Sequence, residues 1–164
     1  MADQRITAEE ILAELQGDLK TLAEKMAAAM NAAKAGRIIA DTEEPVREAH
    51  AVFRQQAYQK AIDLLAKHVG QGAFSPSAQG DQGRGRNKGK QKTSHVTVNG
   101  VLEVERTIYW NRQQGTVAPL DGWLGILSQR YRPGVREMAC RMCLDEAFVP
   151  GSENLSRLAQ LTIS

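Results

Sequence analysis

Apolar residues recur along the first part of the chain at helical spacing. Leu12, Leu15, Leu19, Leu22, Met26 and Met30 are three or four residues apart, which puts them in one narrow stripe on a helix surface. Thr7 and Glu10 precede the stripe at the spacing of a capping box, in which hydroxyl and carboxylate satisfy each other's unpaired amides. The Ala-rich run from Ala27 to Ala35 favours helix, and Gly36 supplies a stop. The pattern predicts a helix from Thr7 to about Ala35, roughly 40 Å long.

The stripe resumes in Val46, Ala49, Phe53, Ala57, Ala61, Leu64, Leu65 and His68. It predicts a second helix opening at Asp41 or Thr42, with Glu43, Glu44 and Pro45 in its first turn and an end near Val69. Two long amphipathic helices with a short connection fold back as an antiparallel hairpin. Such a pair has little core of its own. Its stripe packs either against a second copy or another domain, as an oligomerisation or docking arm, or against the rest of this chain. His50 and His68 are too far apart to share one metal and are assigned no ligand role.

From Gly70 to Thr93 the periodicity collapses into Gly, Gln, Ser and Pro, which predicts a linker. It contains Arg84, Arg86, Lys88, Lys90 and Lys92, five cations in nine residues without an acid. Glycine lets the backbone follow a phosphate track, and each cation can displace a condensed counterion.

Alternation with period two follows. His95 to Val98 and Val101 to Trp110 flank Asn99-Gly100, a strong signal for a β-hairpin. Leu102, Val104, Ile108 and Trp110 share one face of the second strand, and Glu103, Glu105, Thr107 and Tyr109 the other. Arg106 interrupts the apolar face, with two destinations open: the sheet edge, or a buried acid such as Asp121. Thr116-Val117 supplies a short third strand after a Gln113-Gln114-Gly115 turn, and so small a sheet needs helices laid against it.

Toward the end of the chain, Arg130, Arg132, Arg136 and Arg141 cluster around a helix whose apolar face is Val135, Met138, Ala139 and Met142, closed by Phe148-Val149-Pro150-Gly151. Ser152 is a candidate N-cap for a further helix with Leu155, Leu158 and Ala159 on one face, and Ile163-Ser164 has the look of a tight turn. Any two short helices joined by a turn give a similar pattern. Read as a helix-turn-helix, the groove-entering helix would lie beyond Ser164, so the chain is expected to be the front portion of something longer. Arg157 joins the arginines as a candidate phosphate contact.

Charge sharpens this division. Residues 1–83 hold 9 basic and 12 acidic side chains and residues 84–164 hold 12 and 7, so a net charge of +2 conceals an acidic half and a basic half. Aromatics are 5% and mean hydropathy is -0.40, which argues against a large core. Neither a secretion signal nor a membrane-length apolar run is visible. Cys140 and Cys143 lack a second ligand pair and are expected to be small apolar core residues, reduced in a cytoplasmic protein. The acids lie mostly on helix surfaces, where neighbours such as Asp145 and Glu146 diverge, and no nucleophile–base pair or phosphate loop is recognisable. No enzyme is expected in this chain.

The order Gly100-Val101-Leu102-Glu103-Val104-Glu105-Arg106, Tyr109-Trp110, Pro119-Leu120-Asp121, Leu124-Gly125, Pro133-Gly134-Val135, together with Leu155 to Ser164, resembles the N-terminal region of ISKra-type bacterial insertion-sequence transposases over residues 73–164. The resemblance implies a DDE transposase, in which a downstream RNase H-like domain cuts and rejoins DNA with three acidic residues and two Mg²⁺ ions. That domain is not among these residues, so no catalytic residue, metal or cofactor is expected here. Many relatives carry a cysteine pair after the aromatic strand. Asn111-Arg112-Gln113-Gln114 stands there instead, and no zinc is expected.

The expected fold is α+β, mainly α. It has a long N-terminal antiparallel helical hairpin over 1–70, a flexible basic linker over 71–93, a small antiparallel β-unit over 94–127, and C-terminal helices over 128–164 forming an incomplete helix-turn-helix. The expected partner is double-stranded DNA at transposon ends, near the bacterial nucleoid, with a homo-oligomer formed through the N-terminal helices. The alternative is a helical oligomerisation or adaptor module that does not bind DNA.

Overall fold

The computed structural model describes residues 6–70, 86–112, 115–126, 130–145 and 148–159. Helix α1 (Ala8–Ala32) opens on the predicted capping box: the Glu10 amide donates to Thr7 Oγ1 at 3.2 Å and the Thr7 amide to Glu10 Oε2 at 2.8 Å. Gly36, at φ +82°, makes the tight reversal into α2 (Ile38–Gly70), a left-handed conformation that costs glycine little.

Helix α2 begins three residues before Asp41, so Pro45 lies inside the helix and not in its first turn. Tertiary closure displaces the expected cap. The Asp41 carboxylate reaches back to the Lys34 amide at 3.2 Å and to Arg37 Nε at 3.2 Å, satisfying the connection. The helices pair as the predicted hairpin. Lys60 Nζ ties them together, 2.8 Å from Asp18 Oδ2 and 3.0 Å from the Glu14 carbonyl. The stripe is only half used: Leu15, Leu22 and Met26 are partly covered, whereas Leu12, Leu19 and Met30 are exposed.

Strands β1 (Arg86–Thr97), β2 (Gly100–Asn111) and β3 (Gly115–Val117) form one three-stranded antiparallel sheet in the order β1-β2-β3. The hairpin turn is Val98-Asn99, one residue earlier than expected, with Thr97 facing Gly100 across the ladder. Thr97 Oγ1 locks it by donating to the Gly100 carbonyl at 2.8 Å while accepting from the Asn99 amide at 3.1 Å. Gly100, at φ +113°, meets α2 so closely that a Cβ would lie 2.9 Å from Gln55 Cγ.

Helix α2 holds the free edge of β2 through amide side chains. Gln59 Nε2 donates to the Glu103 carbonyl at 2.7 Å and Gln59 Oε1 accepts from the Glu103 amide at 2.8 Å. Gln55 Nε2 adds a bond to the Val101 carbonyl at 3.1 Å. The side chain of Gln59 thus makes the pair of bonds that another strand would make.

Helices α3 (Pro119–Trp123), α4 (Pro133–Asp145) and α5 (Phe148–Ala159) complete the fold. Before α4 the chain lies along the outer edge of β1: the Val96 amide donates to the Arg130 carbonyl at 2.8 Å and the Arg132 amide to the Val96 carbonyl at 3.0 Å. Val96 and Val135 are buried together with Tyr131 and Met138 packed against them, and Leu155 is enclosed as well. Leu102 and Val104 are buried on the opposite face of the sheet.

Two local expectations are corrected. Phe148-Val149-Pro150-Gly151 begins a helix and does not end one, because proline is tolerated in a first helical turn where amides have no partner. Ser152 is therefore inside α5, its hydroxyl bonded to the Val149 carbonyl at 2.9 Å. Cys140, expected in the core, is an exposed free thiol. The Cys143 side chain and the Ile163-Ser164 turn lie outside what is described.

Candidate nucleic-acid interface

The predicted linker is corrected from Arg86 onward. Residues 86–93 are the outer part of β1, paired with β2 from Arg86 opposite Trp110 to Thr93 opposite Val104. This segment carries no apolar alternation because it has no face to bury: its first seven residues are all exposed. Its conformation comes from its partner, whose Ile108, Tyr109 and Trp110 favour strand strongly. A bulge at Lys88 interrupts the register between Asn87 and Gly89. Gly89 takes φ +97°, and the Asn87 side chain accepts its amide at 2.7 Å. Such a bulge re-aims the extra side chain and sharpens the local twist.

The sheet therefore projects a two-stranded ribbon of roughly 40 Å, with cations on its outer half. Arg86, Lys88, Lys90 and Lys92 are exposed. Lys90 Nζ lies 2.8 Å from Glu105 Oε2, and Lys92 stands directly opposite Glu105 in the ladder. The hydrogen bond from Lys90 holds the Glu105 carboxyl below the usual glutamate range, with the nearby charge of Lys90 and then that of Lys92 adding to it against the opposing effect of burial. Arg84 lies outside the described residues.

The second cationic group is at the other end of β1. The backbone bridge at Val96 puts Arg130 and Arg132 there, roughly 30 Å along the strand from Arg86. Arg130 is exposed with its guanidinium 5.8 Å from the centroid of the Tyr131 ring. Arg132 is turned inward, and its Nη1 donates to the Gly125 carbonyl at 3.1 Å, so it braces the approach to α4. Arg136, in the first turn of α4, is exposed. Arg141 is compensated by Glu137 at 2.6 Å. Arg157 belongs to α5, and its side chain is outside the description. Among the described residues, the predicted cations thus form two groups and not one continuous track.

Arg106 has an answer: it pairs with Asp121 of α3, both side chains under one-fifth exposed. It is a fastening between the sheet and α3, not an interface residue. Asp121 Oδ1 is buried without a hydrogen-bond partner. Asp121→Ala would strand a largely buried guanidinium, and a loss of about 1–3 kcal/mol is expected in urea unfolding. An unchanged midpoint would show the pair to be dispensable.

Two residues at the ribbon's outer end are not expected at an interface from the sequence, which places Trp110 on an apolar, packed face. Trp110, opposite Arg86 and Thr116, is 44% exposed, and Arg112, two residues on, is exposed. An aromatic residue in an alternating strand reads as core. The signal available was the pairing of this strand end with a wholly polar partner.

Among the described residues, no three His, Cys, Asp or Glu side chains are grouped so as to hold a metal ion, and no helix is long and apolar enough to cross a membrane. Comparison of the chain with protein-family models, curated proteins and solved structures gave no match.

Proposed function

We propose that this chain is the DNA-holding and subunit-assembling N-terminal portion of an ISKra-type transposase. The supporting observation is the ribbon: two paired strands with Arg86, Lys88, Lys90 and Lys92 exposed along the outer half of one of them. A two-stranded ribbon is narrow enough for the major groove, about 12 Å wide, and cations spaced along it meet successive phosphates. Arg130 and Arg136 make a second set of contacts, and α5 takes the place of the first helix of a helix-turn-helix. Such binding draws most of its free energy from counterion release and reads little sequence.

Titrating a labelled duplex at several salt concentrations tests this. With about five phosphates engaged, log K against log salt falls with a slope of roughly -4 to -5. A flat response overturns the reading. Glu105→Gln sharpens the test, because it releases Lys90 and removes an anion facing Lys92. Duplex affinity is expected to rise by about 8-fold at roughly 0.1 M salt, the effect of one additional counterion displaced. Acid acts in the same sense. Protonation of Glu105 occurs below the ordinary glutamate range because its folded pKa is depressed. The ion pair's contribution to stability is complete above the unfolded pKa and is lost as pH falls through the lower folded value.

A second reading, an oligomerisation or adaptor module that does not bind DNA, is favoured by Leu12, Leu19 and Met30 remaining exposed on α1. A defined oligomer in light scattering with no retention of duplex at low salt would select it.

A further inference from the structure

We propose that the outer end of the sheet is a stacking site for an unpaired nucleotide, a role that rests on the nucleic-acid reading and extends it to strands with frayed or single-stranded character. Trp110 is on the same face of β2 as Leu102 and Val104, which are buried, yet it is 44% exposed. Full burial of that face ends at Val104; Arg106, fastened to Asp121 of α3, and Ile108 are only partly covered. Beyond that point Trp110 lies in the middle strand of an open three-stranded patch, with Arg86 directly across on one side and Thr116 on the other.

Leaving an indole this far in water forgoes much of the stabilisation its burial would give. What surrounds it fits an anionic, planar ligand. Arg86, Lys88 and Arg112 are exposed at the same end of the sheet, and the bulge at Lys88 with Gly89 at φ +97° changes the direction of the strand there. A cation facing an aromatic ring across a ladder, with further cations beside it, is the arrangement that holds a base on its π-face while neutralising the phosphates on either side. In a duplex the bases are stacked on one another and their faces are closed to a protein. An unpaired nucleotide offers both groups together.

The experiment uses the full chain carrying Trp123→Phe, so that Trp110 is the only fluorophore of its kind. Oligothymidylate is the probe because its bases stack weakly on each other, and an abasic strand of equal length supplies the phosphates alone. Oligothymidylate is expected to quench the indole emission and the abasic strand to leave it largely unchanged. Trp110→Ala is expected to weaken oligothymidylate binding roughly 5- to 150-fold, with duplex affinity nearly constant, while Trp110→Phe retains most of it. Equal losses for single strand and duplex, or quenching by the abasic strand alone, overturn the stacking site. If duplex binding keeps its steep salt dependence in that case, the broader reading survives. If neither nucleic acid binds, both fall. Should Trp110→Ala not fold, judged by circular dichroism, the quenching contrast and the Trp110→Phe affinity decide.

Discussion

Replacing Arg86, Lys88, Lys90 and Lys92 together by alanine is expected to weaken duplex binding about a thousandfold at roughly 0.1 M salt and to flatten the salt slope by roughly 3. These four cations lie on the part of β1 whose side chains are all exposed, so truncation removes charge without opening a cavity. Each phosphate neutralised adds about 0.9 to the slope, and Lys90 adds less than a full share because it pairs with Glu105 at 2.8 Å. Net charge alone must be separated from position. Alanine at Lys25, Lys34, Arg54 and Lys67, all exposed on the helical hairpin, removes the same number of charges away from the ribbon. That variant is expected to lose less than about tenfold. Equal losses in the two variants would mean that long-range charge, and not the ribbon, governs association.

Leu155→Ala is expected to be the most damaging single truncation for stability, about 3 kcal/mol or more. Leu155 and Val135 are the largest fully enclosed side chains among the described residues, each 1% exposed. Removing three carbons there costs their transfer from water and leaves a cavity that α4 and α5, packed on one another, cannot both collapse into. In a chain of this size the loss corresponds to a fall of roughly 6–12 °C in melting temperature. Leu144→Ala is the control, since Leu144 is 82% exposed, and it should change stability by less than about 0.5 kcal/mol. If the two variants melt together, α5 does not belong to the cooperative core, and hydrogen exchange in α4 and α5 would then show them opening before the sheet.

What the sequence disclosed was whatever is encoded locally. The capping box at Thr7 and Glu10, the leucine stripe, the existence of a hairpin near Asn99-Gly100 and the short strand at Thr116-Val117 each depend on neighbours in the chain. What it hid depends on distant partners. The outer half of β1 has no apolar pattern of its own and is a strand because Ile108, Tyr109 and Trp110 lie beside it. The start of α2 moved because Asp41 serves a turn and not a helix cap. Pro150 sends the same signal after one helix as at the opening of another, and the chain used the second meaning. For the candidate interface, residue type was enough to pick out the cations. It could not show that Arg132 is taken up by Gly125, that Arg130 stands far from Arg86, or that Trp110 is exposed.

The reciprocal bonds between Gln59 and the backbone of Glu103 make position 59 unusually exacting. Glutamate brings two acceptors and would set a carboxylate oxygen against a peptide carbonyl. Asparagine has both groups but falls a methylene short. Leucine fills the space and leaves amide and carbonyl to compete for water at a half-open seam. Kin sequences that keep glutamine there have reason to keep helix and sheet locked together, and any that lose it should show a compensating change along the same seam, at Gln55 or on the rim of β2.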